Sequence, residues 1–216
     1  MKKVCVIPAR LGSQRLKQKN LLMINNKSLV KLCAEKCLSS GRFDEVYINS
    51  ESNLILNEAP AGCLKYKRNP DFANSIATSE DFIRDFVQNI ECDYLFQIHT
   101  IAPLITISQV GDFVDGFIKS QKQVGLSCEK IVLESLIDGD PINFSFNNKQ
   151  NSQDLKNLHV INWAMTAWKN DASLLDQVCL SFGSNRYFHE ISRITGLVIK
   201  TNEDYLVCKK LLEKQC

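Results

Sequence analysis

The segment Ile7-Pro8-Ala9-Arg10-Leu11-Gly12-Ser13-Gln14-Arg15-Leu16-Lys17-Gln18-Lys19-Asn20 sets four cations and one glycine directly behind the apolar run Val4-Cys5-Val6-Ile7. A buried strand that empties into such a loop puts positive charge at a strand's carboxyl end, where open α/β sheets collect ligands. Gly12 allows close backbone approach to a phosphate, and Arg10, Arg15, Lys17 and Lys19 can neutralise it. These residue types point to a cradle for a nucleoside triphosphate, with a solvated basic turn as the alternative.

The elements that must hold this loop follow in a βαβ rhythm. Leu29 to Leu38 reads as a helix closed by Ser39-Ser40-Gly41, Glu45 to Asn49 as a short strand, and Leu64 to Lys67 as another. A helix from Ser79 to Gln88, a strand Tyr94 to Ile98, a helix Ile107 to Lys119 and a strand Val124 to Cys128 continue the alternation. A mostly parallel, doubly wound sheet is the economical arrangement. The stretch from Glu134 to Leu158 breaks the rhythm with Asp138-Gly139-Asp140-Pro141, and reads as a hairpin-like excursion or loop. Beyond it the pattern predicts a strand at Ala164 to Trp168, a short helix at Ala172 to Val178, and strands at Tyr187 to Ile191 and Gly196 to Ile199. Thr201-Asn202-Glu203-Asp204 reads as a variant capping box that opens the last helix.

Composition bounds the function. The 216 residues, 44% of them hydrophobic, suggest one domain over 1–216 with an excursion or dimerisation segment at about 132–163. Lys and Arg number 26 against 24 Asp and Glu, so the net charge of +2 makes the basic loop a local device for a small anion; no nucleic-acid surface is expected. Apolar runs are strand-sized and Met1-Lys2-Lys3 leads straight into a strand, which predicts a cytoplasmic protein that engages no membrane. The nine cysteines are scattered and mostly embedded in apolar patterns, as expected of reduced core thiols; Cys33 and Cys37 lack the further ligands a zinc site needs.

Read as IPARxGSxRxxxKN, the loop resembles the signature of the CMP-sugar-acid synthetases, the cytidylyltransferases that activate sialic acid and related nonulosonic acids. The resemblance implies a three-layer α/β/α sandwich of the nucleotide-diphospho-sugar transferase kind, CTP and a sugar acid as substrates, and a homodimer. It assigns nucleotide contacts to Arg10, Gly12, Ser13, Arg15, Lys19 and Asn20. Lys19-Asn20 favours the nonulosonate branch over the Kdo branch, which usually has Lys-Pro there. The segment Arg68-Asn69-Pro70 to Ser79 is similar to the family's RPxxLAxDxxxS stretch, which adds Arg68 and Ser79 to the nucleotide set, although Ser79 could simply cap its helix. Aligning Gln97 to Leu104 with LQPTSPLR puts His99 at the glutamine that reaches the sugar acid; a satisfied structural histidine is the other reading. Asn162 matches the asparagine of the family's NGA segment, which implies a contact to the sugar acid, with Trp163 in the glycine's place narrowing that pocket.

One departure bears on the chemistry. The family's IDIDTEED-like motif holds magnesium through its first two aspartates, and Val198 and Lys200 stand at those places. Valine offers no oxygen to a hard cation and lysine repels one. Lys200 is therefore expected either to meet phosphate directly, joining Arg10, Arg15 and Lys19 in catalysis, or to be a solvated strand-end lysine. The sequence assigns no residue as a metal ligand. Three functions stay open, the first two being CMP transfer to a nonulosonic acid and nucleotide binding by a homologue that kept the fold and lost the metal site. Another sugar nucleotidyltransferase is the third.

Overall fold

A computed structural model describes residues 1–13, 15–74, 76–148, 151–170 and 185–214. In chain order its elements are β1 (Lys3–Pro8), β2 (Met23–Ile24), β3 (Lys27–Ser28), α1 (Leu29–Ser39), β4 (Glu45–Ser50), α2 (Asn53–Leu56), β5 (Leu64–Lys67), α3 (Ser79–Asn89) and β6 (Tyr94–Ile98). There follow α4 (Ile107–Ser120), β7 (Val124–Ile131), β8 (Leu136–Ile137), β9 (Asp140–Pro141), β10 (Leu158–Lys169), β11 (Arg186–Glu190) and α5 (Asn202–Glu213). The helix expected at Ala172 to Val178 lies outside the described residues.

Seven strands form one sheet in the order β11-β7-β10-β6-β1-β4-β5. The pairs β1–β4, β1–β6, β4–β5 and β7–β11 are parallel, and β10 runs antiparallel to both β6 and β7. The mostly parallel α/β architecture is thus the expected one. Central position explains the apolar first strand: Val4, Cys5, Val6 and Ile7 are fully buried because helices cover both faces. Strand alternation divides them, with Cys5 and Ile7 packing under α1 and α4, and Val4 and Val6 under α3. Among the described residues no helix is long and apolar enough to cross a membrane.

Two local features differ from the sequence expectation. Thr78, not Ser79, caps α3: its hydroxyl accepts from the Asp81 N–H and Asp81 reaches back to the Thr78 N–H, a closed capping box with Asp at its third helical position. The stretch Gly196 to Ile199 is no strand: it begins in the turn closed by Gly196 N–H to Ser192 O, and among the described residues its one backbone bond beyond that turn is Ile199 N–H to Ile101 O, 2.7 Å, so no ladder forms. The excursion does hold a hairpin, β8–β9, turned by Asp138 and Gly139 at φ 51 and 95, the left-handed pair that a tight two-residue hairpin turn requires.

Candidate active site

The basic loop leaves β1 at the carboxyl edge of the parallel strands and is pinned at several points. The Ala9 N–H continues onto Asn49 O at 3.0 Å and the Leu11 N–H donates to Glu51 Oε1 at 2.8 Å. Asn20 is buried and ties the loop together: its Nδ2 donates to Arg10 O at 2.8 Å, and its Oδ1 accepts the Thr100 hydroxyl at 2.6 Å. Asn20 therefore shapes the loop from behind as well as lining it. Gly12 is exposed, and a side chain there would meet no protein atom within 4 Å, so packing within the protein does not require a glycine at this place.

Pinned in this way, Arg10, Ser13, Arg15, Lys19 and Asn20 line one cleft of about 220 Å³ with Thr100 and His99. A second hollow of about 380 Å³ adjoins it, shares Arg10, Arg15 and His99, and adds Arg68, Phe72, Ala77, Ser79 and Phe82. Lys19 sits at the cleft wall with Nζ 3.4 Å from Ile199 O; burial first, and then the Arg15 and Arg10 charges, lower its pKa. Three cations that raise one another's energy make a site that a polyanion relieves. Arg68 is buried, donating Nε to Asn49 Oδ1 at 2.6 Å and Nη2 to Asn49 O at 3.0 Å, with its guanidinium 4.1 Å over the Phe82 ring. Burial pushes its pKa down to about 10, which keeps it charged at neutral pH.

His99 lies at the junction, lining the cleft, the second hollow and a third cavity of about 440 Å³. The residue is half-buried. Burial, with Lys19 and Arg68 nearby, brings its pKa down to about 4. The ring is neutral at pH 7 and its Nε2 meets the Gln97 side-chain amide, so it is a hydrogen-bonding group and not a proton donor there. The shift has a stability consequence. A histidine that titrates near 6.5 when unfolded and near 4 when folded stabilises the fold fully above about 6.5, and that contribution is lost as pH falls through about 4. The expected result is a melting temperature that declines from pH 6.5 to pH 4 in wild type and declines less in His99→Gln; parallel profiles would contradict it.

The third cavity was the least visible in the sequence. Strand alternation puts Gln97 of β6, and Thr166 and Trp168 of β10, on the α3 face, with His99 just past the end of β6, and Thr166 pairs directly with Gln97. Thr78, Ser79 and Glu80 at the start of α3 close one side, and Trp163 another. Trp163 stands at φ 57, beside the irregularity in β10 between Ile161 and Thr166. That left-handed conformation suits glycine and costs other residues about 1–2 kcal/mol, in keeping with the glycine that the resembled family has there. Asn162 does not line the cavity: its Oδ1 accepts the Ser127 hydroxyl at 2.6 Å and the Ala164 N–H at 3.2 Å. The cavity meets Trp163 in its stead. Lys200 is exposed and borders none of these three spaces. Its N–H and that of Thr201 donate to Asp204 Oδ2 at 2.8 and 2.7 Å, which commits Asp204 to capping α5.

Val198 and Lys200 provide no hard oxygen ligands, and Asp204 is spoken for by backbone; among the described residues no group of three or more His, Cys, Asp or Glu is placed to hold a metal ion. The donor set does not fit a resident magnesium at the place the resemblance implies.

The family model described as Cytidylyltransferase matches residues 4–167, a span that contains the cleft, Arg68, Ser79 and His99. A pseudaminic acid cytidylyltransferase of Campylobacter jejuni subsp. jejuni serotype O:2 is 31% identical over 134 residues, covering 57% of this chain and 56% of that protein. An N-acylneuraminate cytidylyltransferase of Streptococcus agalactiae serotype V is 32% identical over 94 residues, covering 42% of this chain and 23% of that one. The chain thus spans about half the length, or less, of these curated relatives. The fold matches a CMP:2-keto-3-deoxy-manno-octonic acid synthetase solved in complex with CTP, with a TM-score of 0.75 at 20% identity over 100% of both chains. With the family's span extending over most of the chain and over the cationic cleft itself, this chain belongs to the cytidylyltransferase family.

Proposed function

We propose that this chain transfers CMP from CTP to a nonulosonic, sialic-acid-like sugar acid and releases pyrophosphate. The observation that carries the reading is the continuity, through His99, of the cleft lined by Arg10, Arg15 and Lys19 with the hollow lined by Arg68 and Ser79. Triphosphate fits the first and nucleoside the second, and the relatives' names supply the class of acceptor. The acceptor hydroxyl oxygen bonds to the α-phosphorus, the bond to the bridging oxygen breaks with its electron pair leaving on pyrophosphate, and the hydroxyl proton is released. Arg10, Arg15 and Lys19 hold the phosphates and offset their charge; such transfers depend mainly on alignment and electrostatics. Gly12 and Ser13 let the loop close on the phosphates, and Asn20 keeps it in shape.

Magnesium enters this reading only as the counter-ion that CTP carries in as part of the substrate, because the residues at the expected ligand positions do not suit it. The chain reads as one nucleotidyltransferase domain in the cytoplasm, acting on small molecules and not on nucleic acid. Homodimer formation through the excursion at about 132–163 is supported by its exposed Leu133, Leu136, Ile137, Ile142 and Phe146. A nucleotide-binding homologue without turnover is the second reading, favoured by Val198 and Lys200. The test is pyrophosphate release with CTP and a panel of sugar acids, with magnesium and with chelator. Release that needs both CTP and one acid supports the transferase; CTP binding with no release from any acid overturns it in favour of the second reading.

A further inference from the structure

The turn that ends the basic loop is anchored by a hydroxyl to which the proposed reaction gives no part. We propose that Thr100 is a positioning residue for the phosphates: its hydroxyl fixes the Asn20 amide, Asn20 fixes the loop, and CTP affinity depends on that bond. The proposal rests on the cytidylyltransferase reading and deepens it by naming what keeps the loop in its binding form.

The pattern of donors and acceptors allows one arrangement. Arg10 O can only accept, so the Asn20 side chain turns its Nδ2 toward it, at 2.8 Å, and its Oδ1 toward Thr100, which must then donate, at 2.6 Å. Asn20 and Thr100 are 6% and 3% exposed, so bulk water is poorly placed to replace either partner. Without the hydroxyl neither amide orientation is satisfied: Oδ1 stays buried with no donor or, flipped, meets Arg10 O acceptor to acceptor. The turn needs an anchor of this kind. Asn20 is the middle residue of the single 3-10 turn Lys19–Leu21, and the chain enters that turn through Gln18 at φ 50, a left-handed conformation that side chains disfavour. The anchor itself is rigid. On either side of Thr100, the His99 N–H bonds Ala164 O of β10 at 2.9 Å, Ile101 O accepts the Ile199 N–H at 2.7 Å, and Pro103 O accepts Nζ of Lys36 on α1. The resembled stretch LQPTSPLR has proline at the place of Thr100, which has no hydroxyl to give, so the bond belongs to this chain's own residues.

A loop that leaves its binding form part of the time binds phosphate more weakly in proportion to the fraction lost. Calorimetric titration of CTP into the full chain therefore compares wild type with three variants of Thr100. Thr100→Val keeps the shape, removes the hydroxyl and should raise the dissociation constant about tenfold, the size of effect that one hydrogen bond allows. Thr100→Ala, which serves where valine disturbs the fold, should do the same, and Thr100→Ser should stay within about threefold of wild type. Asn20→Ala should cost at least as much as Thr100→Val, and the double variant should be no more than about twofold weaker than Asn20→Ala, because both changes break one chain of bonds. Hydrogen exchange reads the loop without ligand: the amides of Lys19, Leu21 and Leu22, each bonded within the turn, should exchange about tenfold faster in Thr100→Val while those of β4 keep their rates. A loss under threefold in both Thr100→Val and Thr100→Ala, no recovery with serine, additive losses in the double variant, or unchanged exchange in the turn overturns the proposal and leaves the CTP site standing. Wild type that binds no CTP overturns the proposal together with the reading beneath it.

Discussion

Replacing Lys19 by Met is expected to weaken CTP binding by roughly 10- to 100-fold, because one charge-assisted hydrogen bond to a phosphate contributes about 1.5–3 kcal/mol. The position makes the effect large. Burial and the neighbouring Arg15 and Arg10 lower the Lys19 pKa, so the free cleft holds three mutually repelling cations. A triphosphate reverses that balance at once. Methionine keeps the length and the packing of the stem but supplies neither charge nor donor. Its loss of the 3.4 Å contact to Ile199 O is a small matter for the fold, since the Ile199 N–H remains bonded to Ile101 O. Calorimetric titration of CTP into wild type and variant measures the change directly, with circular dichroism to check that the fold persists. An affinity within twofold of wild type would mean that the cleft is not where the phosphates go.

Arg68→Met is expected to lower the melting temperature by about 10 °C, and it is the change that separates fold from binding most clearly. The guanidinium is buried over Phe82 and bonds Asn49 twice. A desolvated cation–π contact contributes about 2 kcal/mol, and leaving Asn49 Oδ1 buried without its donor costs about 1–3 kcal/mol. A chain of this size loses about 2–4 °C per kcal/mol. Arg15, by contrast, is an exposed side chain. Arg15→Met should leave the melting temperature nearly unchanged and reduce CTP affinity, because surface substitutions away from packed features shift stability by about 0.5 kcal/mol at most. Thermal melts of both variants decide the matter, and a shift under 2 °C for Arg68→Met would contradict the role given to its buried network.

Much of the site was legible because it is local. The loop from Ile7 to Asn20 is one continuous segment, so its cations could be read together, and the structure brings Arg10, Ser13, Arg15, Lys19 and Asn20 to one cleft. Strand and helix periods likewise placed β1, β4, β6 and α4, whose buried faces repeat as their geometry demands. What escaped depends on register between distant segments. Nothing in the sequence sets Gln97 against Thr166, or brings both tryptophans to the amino end of α3, until β10 is known to run antiparallel beside β6. The irregularity that turns Asn162 inward toward Ser127 and leaves Trp163 at the cavity is of the same kind. The apolar stretch Gly196 to Ile199 looks like a strand by composition, but ladders need a partner edge, and among the described residues this segment's one backbone bond beyond its own turn is to Ile101.

On the proposed reading, the absence of hard ligands at Val198 and Lys200 assigns the phosphate charge to Arg10, Arg15 and Lys19, a division of labour that a mutational series in those three residues tests. It also sets the decisive question, which is whether a new bond to the α-phosphorus forms at all. The measurement that answers it is mass spectrometry of the products after the full chain is incubated with CTP and an N-acylneuraminate, in the presence of magnesium. The account predicts a CMP–sugar adduct that appears together with stoichiometric pyrophosphate, needs both substrates, and falls away in Lys19→Met. Unchanged CTP and acid, from a protein that binds CTP under the same conditions, would contradict it.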